Sequence, residues 1–372
     1  MALNKTFDFM NKRLVPLIQA FRSVHTPENL GIPKYNEERA RTSSQYTSDV
    51  ILGRFKSRMA QQAQPEARGM LFIEDIKTLL HVADESDSET IHNLLKRYNT
   101  QKSKTEFILG PIVMRYFYVV NQPVEALKAF CDPALDGMFD YISSVKILVS
   151  LLYKHNMFEE LFAVYDVIKA KNFKETDLFL NIGTVILAAC YKKNTPESYK
   201  MALDLVNKNE DMLISNDHIA SSRQRVTLIA SIALRQNDPN TALDFLTRMD
   251  ERTGILPRNL KVIAYSYLDR PEDALSTIRR PLVRDQLVKF MPEAIEALKQ
   301  SLDRVKEENQ KEILTTEFNS VEKELQEKNL MVDKDIEYYL ERPVVRTTPR
   351  SQEQRNRKSS KKQEVESDSD SD

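Results

Sequence analysis

Apolar residues recur at three- and four-residue intervals through most of this chain, and the runs come in pairs divided by a short polar turn. That period is the mark of amphipathic helices. The clearest unit is Ser143–Thr176, SSVKILVSLLYKHNMFEELFAVYDVIKAKNFKET: an apolar helix, a turn at His155–Met157, a second helix and a polar exit. Six such pairs are predicted. They run near Phe72–His81 with Ser88–Tyr98, Ile108–Val120 with Pro123–Phe130, the clear unit, Asp177–Lys192 with Pro196–Val206, Ser221–Arg235 with Pro239–Arg248, and Arg258–Leu268 with Pro271–Arg279.

The starts of the second helices fix the register. They read NQPVEAL, HNMFEEL, NTPESYK, NDPNTAL and DRPEDAL. Pro suits the first helical turn, where its missing N–H costs nothing. The preceding Asn, Thr or Asp is a capping candidate, as is Ser88 in the first pair. The matched positions Ile91, Ala126, Leu161, Tyr199, Ala242 and Ala274 are separated by 35, 35, 38, 43 and 32 residues, so the later steps require loop insertions. Stacked pairs of this length form solenoids, which usually hold a ligand along one face.

From Pro292 the apolar stripe predicts one long acidic helix to about Lys328, capping the last repeat. The fold class is therefore all-α: an α-solenoid of about six helix-turn-helix repeats with a long C-terminal capping helix. The expected divisions are 1–26, 27–69 (a polar linker, then a basic helix around Arg54, Lys56 and Arg58), the repeats at 70–291, the acidic cap at 292–342 and a disordered tail at 343–372. In the tail, Ser367, Ser369 and Ser371 sit among acids, either as phosphoacceptors or as part of a solubilising run. Residues 1–26 read either as a mitochondrial transit segment or as an amphipathic surface helix.

Composition supports helix, with only 7 Gly in 372 residues. No apolar run reaches the length of a membrane span, about 18 residues. Charge is uneven: 11 Lys/Arg against 6 Asp/Glu over 1–69, 28 against 29 over 70–291, and 8 against 14 over 292–342. A near-neutral repeat array must hold any polyanion on a local basic face. Cys131 and Cys190 read as small core residues, and their number excludes a disulfide-stapled fold. His25, His81, His92, His155 and His218 share no metal-ligand spacing, and Walker, GxGxxG and GxSxG motifs are missing. No metal, cofactor or catalytic residue is expected. The run Tyr116-Phe117-Tyr118 reads as core in preference to a base-stacking platform.

The unit at Ser143–Thr176 resembles a pentatricopeptide repeat through Lys146-Ile147-Leu148-Val149 and Glu160-Leu161-Phe162-Ala163-Val164-Tyr165, with Asn156 where that family has a turn Gly. The stretches IKTLLHVADESDSETIHNLLKRY, LGPIVMRYFYVVNQPVEAL and AACYKKNTPESYK, with Gly110-Pro111 the most specific pair, are similar to the animal family of mitochondrial pentatricopeptide repeat-containing protein two over about 50–342. The resemblance implies a mitochondrial matrix protein that binds single-stranded RNA without catalysis and serves transcript maturation, processing or stability. Its partners would be RNA-processing enzymes or the mitoribosome. In such repeats one polar residue of each first helix meets a base. The resemblance places that residue fifteen positions before the matched second-helix position, which selects Lys146, Thr184, Thr227 and Asn259. Arg115, Lys192, Lys193, Arg223 and Arg225 are the candidates for phosphate contacts; Lys192 and Lys193 also suit the helix C-terminus they occupy. The alternative function is a protein–protein adaptor built on the same helix pairs.

Overall fold

The computed structural model describes residues 24–46, 48–101, 107–171, 173–214, 219–249, 254–284, 286 and 288–342. Nearly all of the expected transit segment, and the whole tail 343–372, lie outside them. The chain forms an all-α helical-repeat solenoid. After a single turn α1 (Pro27–Leu30), the pairs are α2 (Ile32–Ser44) with α3 (Asp49–Gln62), α4 (Ile73–Val82) with α5 (Ser88–Thr100), α6 (Gly110–Val119) with α7 (Pro123–Cys131), and α8 (Ile142–Lys154) with α9 (Phe158–Lys169). A short α10 (Glu175–Leu178) runs through a π-helical turn, Phe179–Gly183, into α11 (Thr184–Lys193), which pairs with α12 (Pro196–Lys208). Then come α13 (Glu210–Leu213), α14 (Ile219–Arg235) with α15 (Pro239–Thr247), α16 (Ile255–Tyr267) with α17 (Pro271–Val283), α18 (Pro292–Asp303) with α19 (Glu308–Glu327), and a last short helix α20 (Ile336–Leu340). First helices pack on first helices down the stack, and one continuous apolar core joins all the pairs.

Two expectations are corrected. Residues 27–48 are no linker: Leu30, Ile32 and Tyr35 are buried, and Pro27 and Pro33 sit in the first turns of α1 and α2. The acidic stretch after Pro292 is two helices, so it forms a further repeat-like pair instead of one long cap. Arg304 marks the break, bonding back to Asp269 and to the Ser266 carbonyl. The irregular steps of 38 and 43 are taken up by helix: the π turn before α11, and α13 between α12 and α14.

The turns inside the pairs explain why so little glycine is needed. Asn121, Asn156, Asn194, Asn237 and Asp269, each five residues before a matched position, hold φ of 60°, 56°, 51°, 58° and 53°. They end the first helix in the left-handed conformation that Asn and Asp tolerate better than other non-glycine residues. These residues are therefore not N-caps, as their position suggested. Capping of the second helices falls to Thr195 and Asp238 where it is done by a side chain. Ser88 is also no cap: Asp84 caps the preceding 3₁₀ turn, and the Ser88 hydroxyl donates to the Glu85 carbonyl. Several of the left-handed side chains also join successive repeats. Lys154 and His155 donate to Asn121, Gln236 to Asn194, and Arg304 to Asp269.

Close packing accounts for Gly110. A Cβ there would stand 2.3 Å from the Met138 carbonyl oxygen and 2.8 Å from Ser144 Oγ, so only Gly lets α6 start against this loop. Tyr116 and Phe117 are fully buried core residues. Cys190 is buried, whereas Cys131 ends α7 exposed, contrary to its reading as a core residue.

Candidate functional site

The stacked first helices make one layer of the solenoid and the second helices the other. Across the five central pairs charge is divided between these layers, whereas the flanking first helices α2, α4 and α18 carry five Lys/Arg and seven Asp/Glu. Helices α6, α8, α11, α14 and α16 carry ten Lys/Arg and no Asp or Glu; their partners α7, α9, α12, α15 and α17 carry six Lys/Arg and nine Asp/Glu. Glu175 and Asp177 lie beyond this set, on α10. The near-neutral charge of the repeats thus conceals a cationic stretch of the first-helix layer, from α6 to α16.

Among the base-contact candidates, Lys146 is half-buried on α8, one turn before Ser150. The other three face inward. Thr184 is buried. Thr227 is buried, and its hydroxyl donates to the Arg223 and Gln224 carbonyls. Asn259 is completely buried: its amide donates to the Ile255 and Lys289 carbonyls and accepts from Met291 N–H at 2.8 Å. None of these three presents a polar group to a base, because α11, α14 and α16 turn the selected position into the core.

The phosphate candidates divide similarly. Arg223 is exposed on α14. Arg225, two residues on, is fully buried, donates to the Met212 carbonyl and Ser222 Oγ, and stacks 4.9 Å from the Phe179 ring centroid. Burial lowers its pKa to about 10. It is a structural cation and meets no phosphate. Lys193 bonds Glu159 of α9, so it points to the second-helix layer.

Arg115 and Lys192 lie on the first-helix face, and both are held by the chain's own ends. Arg115 Nε donates to the Leu30 carbonyl at 2.9 Å, beside Gly31, whose φ of 70° links α1 to α2. Next to it His25 Nδ1 stands 2.9 Å from Ser150 Oγ on α8. Lys192 is paired with both Glu337 and Glu341 of the C-terminal segment. Burial opposes its charge, but the two carboxylates outweigh that and raise its pKa. Sequence reasoning missed both returning segments. They also missed Arg258 and Lys261, half-buried on α16 three residues apart, which belong to the same cationic layer.

A cleft of about 740 Å³ opens between the second helices α5 and α7. There Asp132 accepts from His92 at 2.7 Å and pairs with Lys96 at 2.8 Å. This bonding ties α5 to the end of α7. No group of three or more His, Cys, Asp or Glu among the described residues is placed to hold a metal. No helix among them is long and apolar enough to cross a membrane.

No protein-family profile matches the chain. Curated relatives do. The chain is 27% identical over 252 residues to a zebrafish (Danio rerio) protein, covering 65% of this chain and 64% of the relative. It is 25% identical over 209 residues to a human protein, covering 55% and 52%, and 28% identical over 228 residues to a mouse (Mus musculus) protein, covering 58% and 57%. The matched region thus spans between about half and two thirds of each relative's length. All of these relatives bear one name, and the chain is similar to the mitochondrial pentatricopeptide repeat-containing protein 2 of several animals.

Proposed function

We propose that this chain is a non-catalytic, RNA-associated helical-repeat protein of the mitochondrion. Single-stranded RNA runs along its first helices, and the protein serves maturation, processing or stability of mitochondrial transcripts, with enzymes of that processing or the mitoribosome as partners. The observation that carries the reading is the run of five central first helices with ten cations and no acid, of which Arg225 is buried and Lys193 turns to the second-helix layer. A polyanion is attracted to such a surface whatever the net charge of the chain. The names of the relatives supply the organelle and the repeat class.

The cations offered to phosphates are Arg115, Lys146, Lys192 and Arg223, with Arg258 and Lys261 extending the row. Arg and Lys in these places position RNA without reading its sequence. The test is anisotropy of a fluorescein-labelled single-stranded RNA titrated at several KCl concentrations. Reversing Lys146, Arg223 and Arg258 to Glu should weaken binding at least tenfold at low salt. The slope of log K against log salt should fall by about 2, since each single-strand phosphate contact contributes roughly 0.7. Reversing Lys200 and Lys208 on α12 should change neither quantity. Equal losses from the two sets would overturn the assignment of the first-helix face.

The adaptor reading keeps one observation in its favour: the first-helix face already accommodates a helical, acidic peptide, that of the C-terminal segment.

A further inference from the structure

We propose that residues 333–342 form an acidic strap that occupies the first-helix face and competes with RNA for it. This rests on the RNA reading above and adds a regulatory contact to the same site.

The path of the segment supports the proposal. After α19 the chain reverses at Asn329, whose φ is 50°. The Phe290 N–H donates to the Leu330 carbonyl at 2.8 Å, and the Val332 N–H donates to the Phe290 carbonyl at 3.0 Å. That bridge directs the chain away from the second-helix layer, past the start of α18, and back along the first helices. Asp335 caps α20 by accepting from the Tyr338 N–H at 2.8 Å. Glu337 and Glu341, four residues apart and so on one side of the turn, both reach Lys192 at the end of α11. Leu340 is 1% exposed, and Gln224 of α14 donates to the Leu340 and Arg342 carbonyls at 3.0 and 3.2 Å. The strap therefore covers two successive repeats, and its carboxylates sit on the cation where a phosphate would.

The same contacts make the strap displaceable. Helix α20 has five residues, far fewer than a helix needs to persist alone in water. Its holds include the buried Leu340, the part-buried Ile336 and Tyr339 packed on the core, and the polar contacts with Lys192 and Gln224. At its entry Glu293 of α18 faces Asp335 with its Oε2 buried and without a partner, while the Glu293 and Ile336 N–H groups donate to the Glu293 carboxylate. Burial raises the Glu293 pKa, and the charge of Asp335 adds to the rise. The Asp335 charge opposes closure at the root and the Ile336 N–H bond to Glu293 favours it, so the contact on which release turns is the pair of carboxylates on Lys192.

The experiment uses the full chain, its Glu337→Gln/Glu341→Gln form and the same labelled RNA. The substitutions keep the shape of both side chains and remove their charge. If the strap closes the face most of the time, freeing it should tighten binding by about five- to tenfold, as expected when the competent fraction rises by that factor. Amide exchange of residues 336–342 in the unmodified chain should speed up on adding RNA, a measurement that needs no variant to fold. Equal affinities for the two forms, with strap amides unmoved by RNA, would overturn the strap while leaving the RNA reading intact. Absence of RNA binding by either form would overturn both.

Discussion

Substituting Asn259 by Ala separates a structural role from a base-reading one. The side chain is fully buried, and its Oδ1 is the acceptor for the Met291 N–H, itself completely buried at the start of α18. Truncation strands that N–H, at a cost of about 1–3 kcal/mol for an unsatisfied buried donor. Loss of the bond to the Lys289 carbonyl costs less, since at 3.3 Å it is the longer of the two that the amide donates. The vacated space adds roughly a further 1 kcal/mol, since the backbone around it relaxes only in part. The expected destabilisation is about 2–4 kcal/mol. Repeat arrays do not always unfold in one step, so urea melting should be paired with a local probe. Amide exchange at Met291 should accelerate far more than at Leu148 in the middle of α8. RNA affinity, measured where the variant is folded, should match the parent. A stability change under about 0.5 kcal/mol together with a base-selective loss of affinity would refute the burial argument and restore Asn259 as a reader.

Two further outcomes are expected. Asn194→Ala puts a Cβ-bearing residue without a local hydrogen-bonding side chain at φ of 51° and removes the acceptor of Gln236, so thermal unfolding should show a loss of about 1–2 kcal/mol, while Asn194→Gly should recover the conformational part of it. Acid should loosen the N-terminal repeats: hydrogen bonds from Lys56 and then Ser86 lower the Asp84 pKa to about 2, so its contribution is complete above the ordinary value of 3.8 and disappears as pH falls through 2. Asp84→Asn should accordingly lower the urea midpoint at pH 7, with the difference shrinking at pH 2 and vanishing at still lower pH.

The helix pairs between Ile73 and Val283 were legible because each leaves two local marks, a three-to-four apolar period and, in most pairs, a Pro or cap at the second start. Those marks act within one turn of helix, so sequence alone suffices to read them. The first pair was hidden by its polarity: α2 buries Ile32 and Tyr35 alone, and so few anchors over 13 residues look like linker. The break after Asp303 carries no Gly or Pro; it is set by Arg304 reaching back to the preceding repeat, a contact between residues 35 apart. The candidate site was the least legible part. A fixed spacing from the second helix names a position but cannot fix how far each first helix rotates about its axis. On α8 that position remains at the surface as Lys146, and on α14 and α16 it turns inward to Thr227 and Asn259, while Arg223, Arg258 and Lys261 are left outside.

The distribution of charge follows from the same geometry. Second helices must answer one another across the outer surface, and they do so with mixed pairs such as Arg279 with Glu317 and Gln310 with Glu272, each spanning 38 residues. Such a surface needs both signs, and exposed pairs of this kind contribute little stability. First helices have no such pairing among themselves: without acids in α6, α8, α11, α14 and α16 their cations can be answered only from elsewhere. Within the chain the answers include the Leu30 carbonyl for Arg115, Asn121 for Lys154, the Tyr191 carbonyl for Arg235, Glu159 for Lys193 and the two carboxylates of the strap for Lys192. A layer that repels itself costs stability unless something anionic lies on it. The strap meets that need at Lys192, and a longer polyanion lying across Lys146, Arg223, Arg258 and Lys261 would extend the same neutralisation along the face.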